Sequence, residues 1–209
     1  EMTEDGYIQP AQKHLDPMFF RKPGLPLLMV EMADGSRIPY WNTFYQEIRD
    51  TDDYHTRYLG QMDLNIKSEK VWDFYRETIK KLAGYGAKII RLDAFAYAPK
   101  APGRANFLNE PETWEFLEQI HKLAKPYGIR LLPEIHAGYK EKKYELIAQK
   151  GYLTYDFFLP GLILDALYRG DGTYLEQWAK EQIKENIHTV NMLGCHDGIP
   201  VLDLAGLKI

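Results

Sequence analysis

The chain has 209 residues, enough for one large domain or most of one, with 45% apolar and 27% charged residues, the balance of an ordinary globular protein. A net charge of −4 announces no basic face for nucleic acid, and no apolar run approaches the roughly 20 residues of a membrane span. Cys195 is the single cysteine, which excludes an internal disulfide and a cysteine metal site, and the opening "EMTEDGYIQP" is not a signal peptide, so the expected location is cytoplasmic.

Residues 1–66 read as irregular. They hold clusters such as "RKPGLP" and "MADGSRIPY", with short strand candidates near Pro26–Glu31 and Ile38–Phe44. A stretch this long without helical period suggests a functional or inserted segment. From Ser68 the pattern changes. Ser68 can cap a helix with Glu69 in its first turn, and Val71, Trp72, Phe74, Tyr75, Ile79 and Leu82 recur at helical spacing until Gly84 and Gly86. Ala87–Leu92 predicts a strand. Pro111 opens a helix with Trp114, Leu117, Ile120 and Leu123 on one face, ended by Pro126-Tyr127-Gly128. Ile129–Pro133 predicts a strand, "KEKKYELIAQKG" a short charged helix, Tyr152–Phe158 a strand, 160–169 and 172–186 helices, and Ile187–Leu193 a last strand.

This alternation implies parallel strands with crossover helices, in an open doubly wound sheet or a (β/α)8 barrel. No glycine-rich phosphate loop follows a strand, so the dinucleotide-binding version has little support. The strands end in acids instead: Asp93, Glu134 and His196-Asp197. Barrels draw catalytic residues from the C-terminal ends of several strands, which favours a (β/α)8 TIM barrel. The expected fold class is therefore α/β. Only part of the barrel is expected here, roughly strands 4 to 7, and the abrupt stop at "LDLAGLKI" reads as a segment of a larger enzyme, inactive by itself. The expected division is 1–66 as an irregular, domain-B-like insertion and 67–209 as partial catalytic barrel.

A lone acid at a strand end is usually a cap or a surface charge. Three at one mouth suggest more. Glycoside cleavage with retention needs a carboxylate nucleophile and a second carboxyl to protonate the leaving oxygen, about 5–5.5 Å apart, and a third carboxylate can stabilise the positive charge at the anomeric carbon. The same acids could hold a metal, but Arg91 argues against a cation there, and no metal is expected. Arg91 lies two residues before Asp93, so both side chains share a face, and the guanidinium would keep Asp93 ionised as a nucleophile must be. Glu134 is expected to do the reverse and hold a proton at neutral pH, raised by apolar neighbours and by Asp93. His136 lies two residues beyond Glu134 and shares its face.

"IIRLDAFAY", "LLPEIHAGY" and "GCHDGIPVLDL" resemble three signature regions of glycoside hydrolase family 13, the α-amylase superfamily, and within it the sucrose phosphorylase branch. "RKPGLP", "WNTFY…GQMDLNIKSEKVWDFY" and Tyr155-Asp156-Phe157 with "LPGLILDALYRGD" extend the resemblance over nearly all the chain from about residue 18. By matching position, the resemblance implies Asp93 as nucleophile, Glu134 as general acid/base and Asp197 as transition-state stabiliser. It implies that Arg91 and His196 contact the donor glucose and that Tyr97 and His136 line the acceptor side. The implied reaction is phosphorolysis of sucrose or a related α-glucoside to α-glucose 1-phosphate through a covalent glucosyl-enzyme, with no cofactor. The implied partners are a small carbohydrate and inorganic phosphate, with neither nucleic acid nor membrane; a homodimer stays open.

The last motif departs from the branch. Gly194 and Cys195 stand where Asp-Thr is typical, and Pro200 replaces a flexible glycine, which should stiffen the following loop. Sucrose, sucrose 6-phosphate, glucosylglycerol and glucosylglycerate therefore all remain as substrates. The family's Asn-His signature would precede Glu1, and the eighth strand and C-terminal β domain would follow residue 209. A hydrolase or transglucosidase of the same superfamily, and a non-catalytic carbohydrate-binding barrel, remain as alternative readings; all three acids being present counts against the last.

Overall fold

The computed structural model describes residues 6–20, 25–49 and 56–207. The opening residues 1–5 and the first four residues of "RKPGLP" lie outside the described residues. The chain divides into two compact units, residues 1–77 with 96–118, and residues 78–95 with 119–209.

The first unit begins with the short helix α1 (Gln12–Leu15) and then forms two antiparallel hairpins. Strand β1 (Leu27–Glu31) pairs with β2 (Arg37–Trp41), with Leu27 opposite Trp41. Their turn is tied by the Asp34 carboxylate, which accepts from the Ser36 amide and hydroxyl, and by Gly35 at φ +76°. Strand β3 (Phe44–Arg49) pairs with β4 (Thr56–Gln61). The segment expected to be irregular thus carries two hairpins, the second of which the sequence reading did not separate. Helix α2 (Glu69–Gly84) starts where Ser68 precedes it, and Gly86 at φ +86° follows its end. Phe116 packs edge-on against Trp72, and Phe107 packs on Tyr97.

The second unit holds the parallel strands. Strand β5 (Ile89–Leu92) pairs in parallel with β6 (Arg130–Pro133), Ile89 opposite Arg130 and Leu92 opposite Pro133. Helix α3 (Glu112–Ala124) leads into β6 through a 3₁₀ turn that ends on Gly128 in the left-handed region. After β6 comes α4 (Lys143–Gln149), then β7 (Thr154–Tyr155), α5 (Leu159–Arg169), α6 (Thr173–Lys184) and β8 (Thr189–Val190). β7 pairs in parallel with β8, and the Leu153 amide donates to the Leu131 carbonyl, linking β6 to β7. Right-handed crossovers between successive parallel strands are what the helix–strand alternation demands.

Two expectations change in detail. β5 is half-exposed rather than buried, with Ile89 in solvent, because β6 is its one strand partner among the described residues. β7 and β8 are two residues long, not seven. β7 stops because the fully buried Asp156 turns inward, accepts from the Leu159 amide at 3.0 Å, and so initiates α5. Asp156 also accepts from Trp178 Nε1 at 3.1 Å and Gln182 Nε2 at 2.7 Å, which fastens α6. Around this anchor Tyr144, Phe158, Leu162, Trp178 and Ile187 form the core, each such side chain contributing about 1.5–3 kcal/mol on burial. Among the described residues no helix is long and apolar enough to cross a membrane.

Candidate active site

The C-terminal ends of β5 and β6 lie side by side in register, because Glu134 donates its amide to the Leu92 carbonyl at 3.1 Å. That register brings the two strand-end acids to one guanidinium. Arg91 Nη1 lies 2.5 Å from Asp93 Oδ1, and Nη2 donates to Glu134 Oε1 at 2.6 Å. The other Glu134 oxygen accepts the Ala94 amide at 3.1 Å. Ala94 sits at φ +45°, a left-handed conformation that costs a non-glycine residue roughly 1–2 kcal/mol, and here it aims that amide at the acid. The Asp93 side chain is 72% exposed while that of Glu134 is 10% exposed, so Asp93 is open to solvent and Glu134 is not.

His136 stands between two carboxylates. Its Nε2 is 3.6 Å from Glu134 Oε1 and its Nδ1 is 2.7 Å from Asp203 Oδ2. The ring stacks on Phe157 at 4.2 Å, and Phe157 stacks on Tyr155 at 5.1 Å. Burial disfavours the imidazolium, but Asp203 and Glu134 outweigh it and push His136 up to about 9. Burial alone would raise Glu134; instead His136, the Ala94 amide and Arg91 together hold it down at about 2. The expectation that Glu134 rests protonated therefore changes. His136, the Ala94 amide and Arg91, which divides itself between the two acids, all meet the Glu134 carboxylate, and together they outweigh its burial.

His196 and Asp197 lie 3.3 Å apart on an exposed turn. That turn closes with the Cys195 amide donating to the Gly198 carbonyl and the Gly198 amide donating back, and it needs φ +90° at Gly198. Cys195 and Glu134 both act on the Tyr155 phenol, which burial raises and Arg91 lowers. Cys195, His196 and Asp197 bring one ligand atom each within 4.8 Å, but a half-buried and two exposed neighbours on one turn lack the closed geometry of a structural ion site. Tyr97 belongs to the first unit, where its buried ring meets Phe44 edge-on at 5.4 Å. The sequence reading assigned no role to Asp203, Tyr155 or Ala94. Asp203 carried a signal, being the closing acid of His-Asp-Gly-Ile-x-x-x-Asp.

No family model matches the chain. Among curated proteins it is 54% identical to a sucrose 6(F)-phosphate phosphorylase of Ilumatobacter coccineus over 206 residues, 99% of this chain and 39% of that protein. It is 37% identical to a sucrose phosphorylase of Streptococcus mutans, over 94% of this chain and 37% of that protein. The crystal structure of sucrose 6F-phosphate phosphorylase from Thermoanaerobacter thermosaccharolyticum superposes with a TM-score of 0.75 at 34% identity, covering 100% of this chain and 39% of that one. The chain belongs to the sucrose phosphorylase-like branch of glycoside hydrolase family 13. It spans about 39% of the length of these family members, and its parallel strands and helices are a part of the family's (β/α)8 barrel. Within that family frame, Arg91, Asp93, Glu134 and His136 form one connected group, while His196 and Asp197 form a second on their own turn.

Proposed function

We propose that the whole protein is a cytoplasmic, retaining α-glucosyl phosphorylase that acts on sucrose or its 6-phosphate. One observation carries the reading: Arg91 holds a solvent-open carboxylate, Asp93, and a nearly buried one, Glu134, at the ends of adjacent parallel strands. Two carboxylates in unlike surroundings are what a nucleophile and an acid/base require. The names of the relatives, sucrose and sucrose 6(F)-phosphate phosphorylases, support the substrate class.

In the first step Asp93 attacks the anomeric carbon, the glycosidic C–O bond breaks, and Glu134 passes a proton to the leaving oxygen. In the second, a phosphate oxygen attacks the same carbon, the Asp93 ester breaks, and Glu134 takes the proton that phosphate gives up. Two inversions yield α-glucose 1-phosphate with retention. Asp197 steadies the cationic transition state, Arg91 and His196 hold the glucose, and His136 faces the acceptor. The proposal also takes residues 1–66 as an insertion ahead of the barrel segment 67–209, in keeping with hairpins before Ser68 and parallel strands after it.

The test is a full-length protein incubated with sucrose or sucrose 6-phosphate, with and without inorganic phosphate. Glucose 1-phosphate that appears only with phosphate supports the reading. Free glucose at equal rates in both tubes identifies a hydrolase instead.

A further inference from the structure

One imidazole cannot face two carboxylates without consequence for both. His136 meets Asp203 at 2.7 Å on one side and Glu134 at 3.6 Å on the other, so the three side chains form a chain from a buried acid to the acid/base. Asp203 is 5% exposed and sits in the 3₁₀ turn Val201–Leu204, which begins at Pro200. The Asp203 amide donates to the Pro200 carbonyl at 3.0 Å. The same turn is seated on α5 by Leu204, which lies so close to Gly161 that a β-carbon there would come within 2.5 Å of it. Phe157 covers one face of the imidazole, and Tyr155 stacks behind Phe157. Arg91 donates to the same Glu134 oxygen, Oε1, that His136 faces. The groups facing His136 are thus Glu134 just after β6, Asp203 from the turn and the apolar Phe157 from the β7–α5 segment.

We propose that Asp203 is a positioning residue that fixes His136 through Nδ1, so that Nε2 carries the proton Glu134 passes on during glucosyl transfer. This rests on the proposed function of the same site. Before reaction the proton is on His136 and Glu134 is a carboxylate. As the glycosidic bond breaks, the proton moves from Nε2 to Glu134 and on to the leaving oxygen, leaving neutral His136 with its Nδ1–H donated to Asp203. When phosphate attacks, its proton returns through Glu134 to Nε2. Pro200, in place of a glycine, stiffens the turn that holds Asp203 in place.

The experiment compares wild type, D203N and P200G in the full-length protein. Asn keeps an acceptor for Nδ1–H and removes only the charge. The titration of His136, followed by NMR with ¹⁵N-histidine, is expected to fall by about one pH unit or more in D203N. The alkaline limb of kcat/KM for the sugar-leaving substrate falls with it, and kcat/KM drops by about 10- to 100-fold. For α-glucosyl fluoride, whose leaving group needs no proton, the loss is at least about tenfold smaller. Equal losses on both substrates, or an unmoved His136 titration, overturn the proposal. If D203N does not fold, P200G carries the same pattern at smaller size, and its absence there is equally decisive. A wild type that turns over neither substrate sinks the proposed function, while the His136 titration still decides whether Asp203 sets the charge.

Discussion

Arg91 donates to Glu134 across two parallel strands at 2.6 Å while its other terminal nitrogen holds Asp93 at 2.5 Å. A fork that grips two acids depends on guanidinium shape, and lysine cannot replace it. R91K is expected to lower kcat by about 100-fold or more with a smaller change in KM, measured as phosphate-dependent product formation. R91M should do at least as much damage.

Acid should release the same contact. Glu134 is held at about 2, below its ordinary value, so its contribution to stability is complete above the unfolded value near 4.5 and is lost as pH falls toward 2. Urea midpoints measured at pH 6, 4 and 3 should fall across that window. In R91M the fall should be shallower, because the native carboxyl then starts closer to its unfolded value.

His136 gives the opposite slope. Its native value is pushed up to about 9 from an ordinary 6.5. Stability from the imidazolium is therefore fully present below 6.5 and is lost as pH rises through 9. The expected loss is about 2 kcal/mol; the share owed to Asp203 is its own, while the share owed to Glu134 is already counted there, so the two contributions do not add in full. Denaturation of H136N at pH 6 and 9.5 should show less pH dependence than wild type; an unchanged slope would mean another group titrates there.

Much of this site was legible because strand geometry is strict. Residues 91 and 93 must share a face, and so must 134 and 136, once each strand is recognised by its apolar run. Alternation gave the parallel α/β class, and the acids at the strand ends favoured the barrel within it. What stayed hidden depended on partners remote in sequence. Nothing near Arg91 says that its second nitrogen reaches 43 residues onward to Glu134, and that contact, together with those of His136 and the Ala94 amide, reverses the expected protonation. The lengths of β7 and β8 were hidden for a related reason. Tyr152–Phe158 looks like a strand by composition, but Asp156 finds three donors in the interior and turns the chain into α5 instead. Asp203 closes the motif His-Asp-Gly-Ile-x-x-x-Asp, but only the turn after Pro200 brings it to His136.

Asp156 itself supplies a prediction about the scaffold. It is 1% exposed and accepts from the Leu159 amide, Trp178 Nε1 and Gln182 Nε2. D156A strands buried donors, each at a cost of about 1–3 kcal/mol, so a loss of about 3 kcal/mol or more is expected in chemical denaturation. D156N keeps one acceptor oxygen and should lose about half as much. Equal losses would mean that charge, not hydrogen bonding, holds α5 and α6 to β7.

The first unit has its own buried charge. Lys100, with 4% of its side chain exposed, pairs with Asp63, exposed by 14%, and also donates to Thr43 Oγ1 at 2.5 Å. Asp63 in turn accepts from the Thr43 hydroxyl at 2.6 Å, and Lys100 lies 5.3 Å from the centre of the Trp41 ring. Burial lowers the Lys100 ammonium against the pull of Asp63, so the ion pair is retained at a desolvation cost. K100M leaves Asp63 almost buried without its cation, and about 3–5 kcal/mol should be lost. The double variant K100M/D63L removes both charges, and most of that loss should return, because apolar replacement of a whole buried pair is often neutral. A thermodynamic double-mutant cycle by urea denaturation decides the matter. If the two losses simply add, the pair is not coupled, and the link between residues 43, 63 and 100 is held by packing on Trp41 instead.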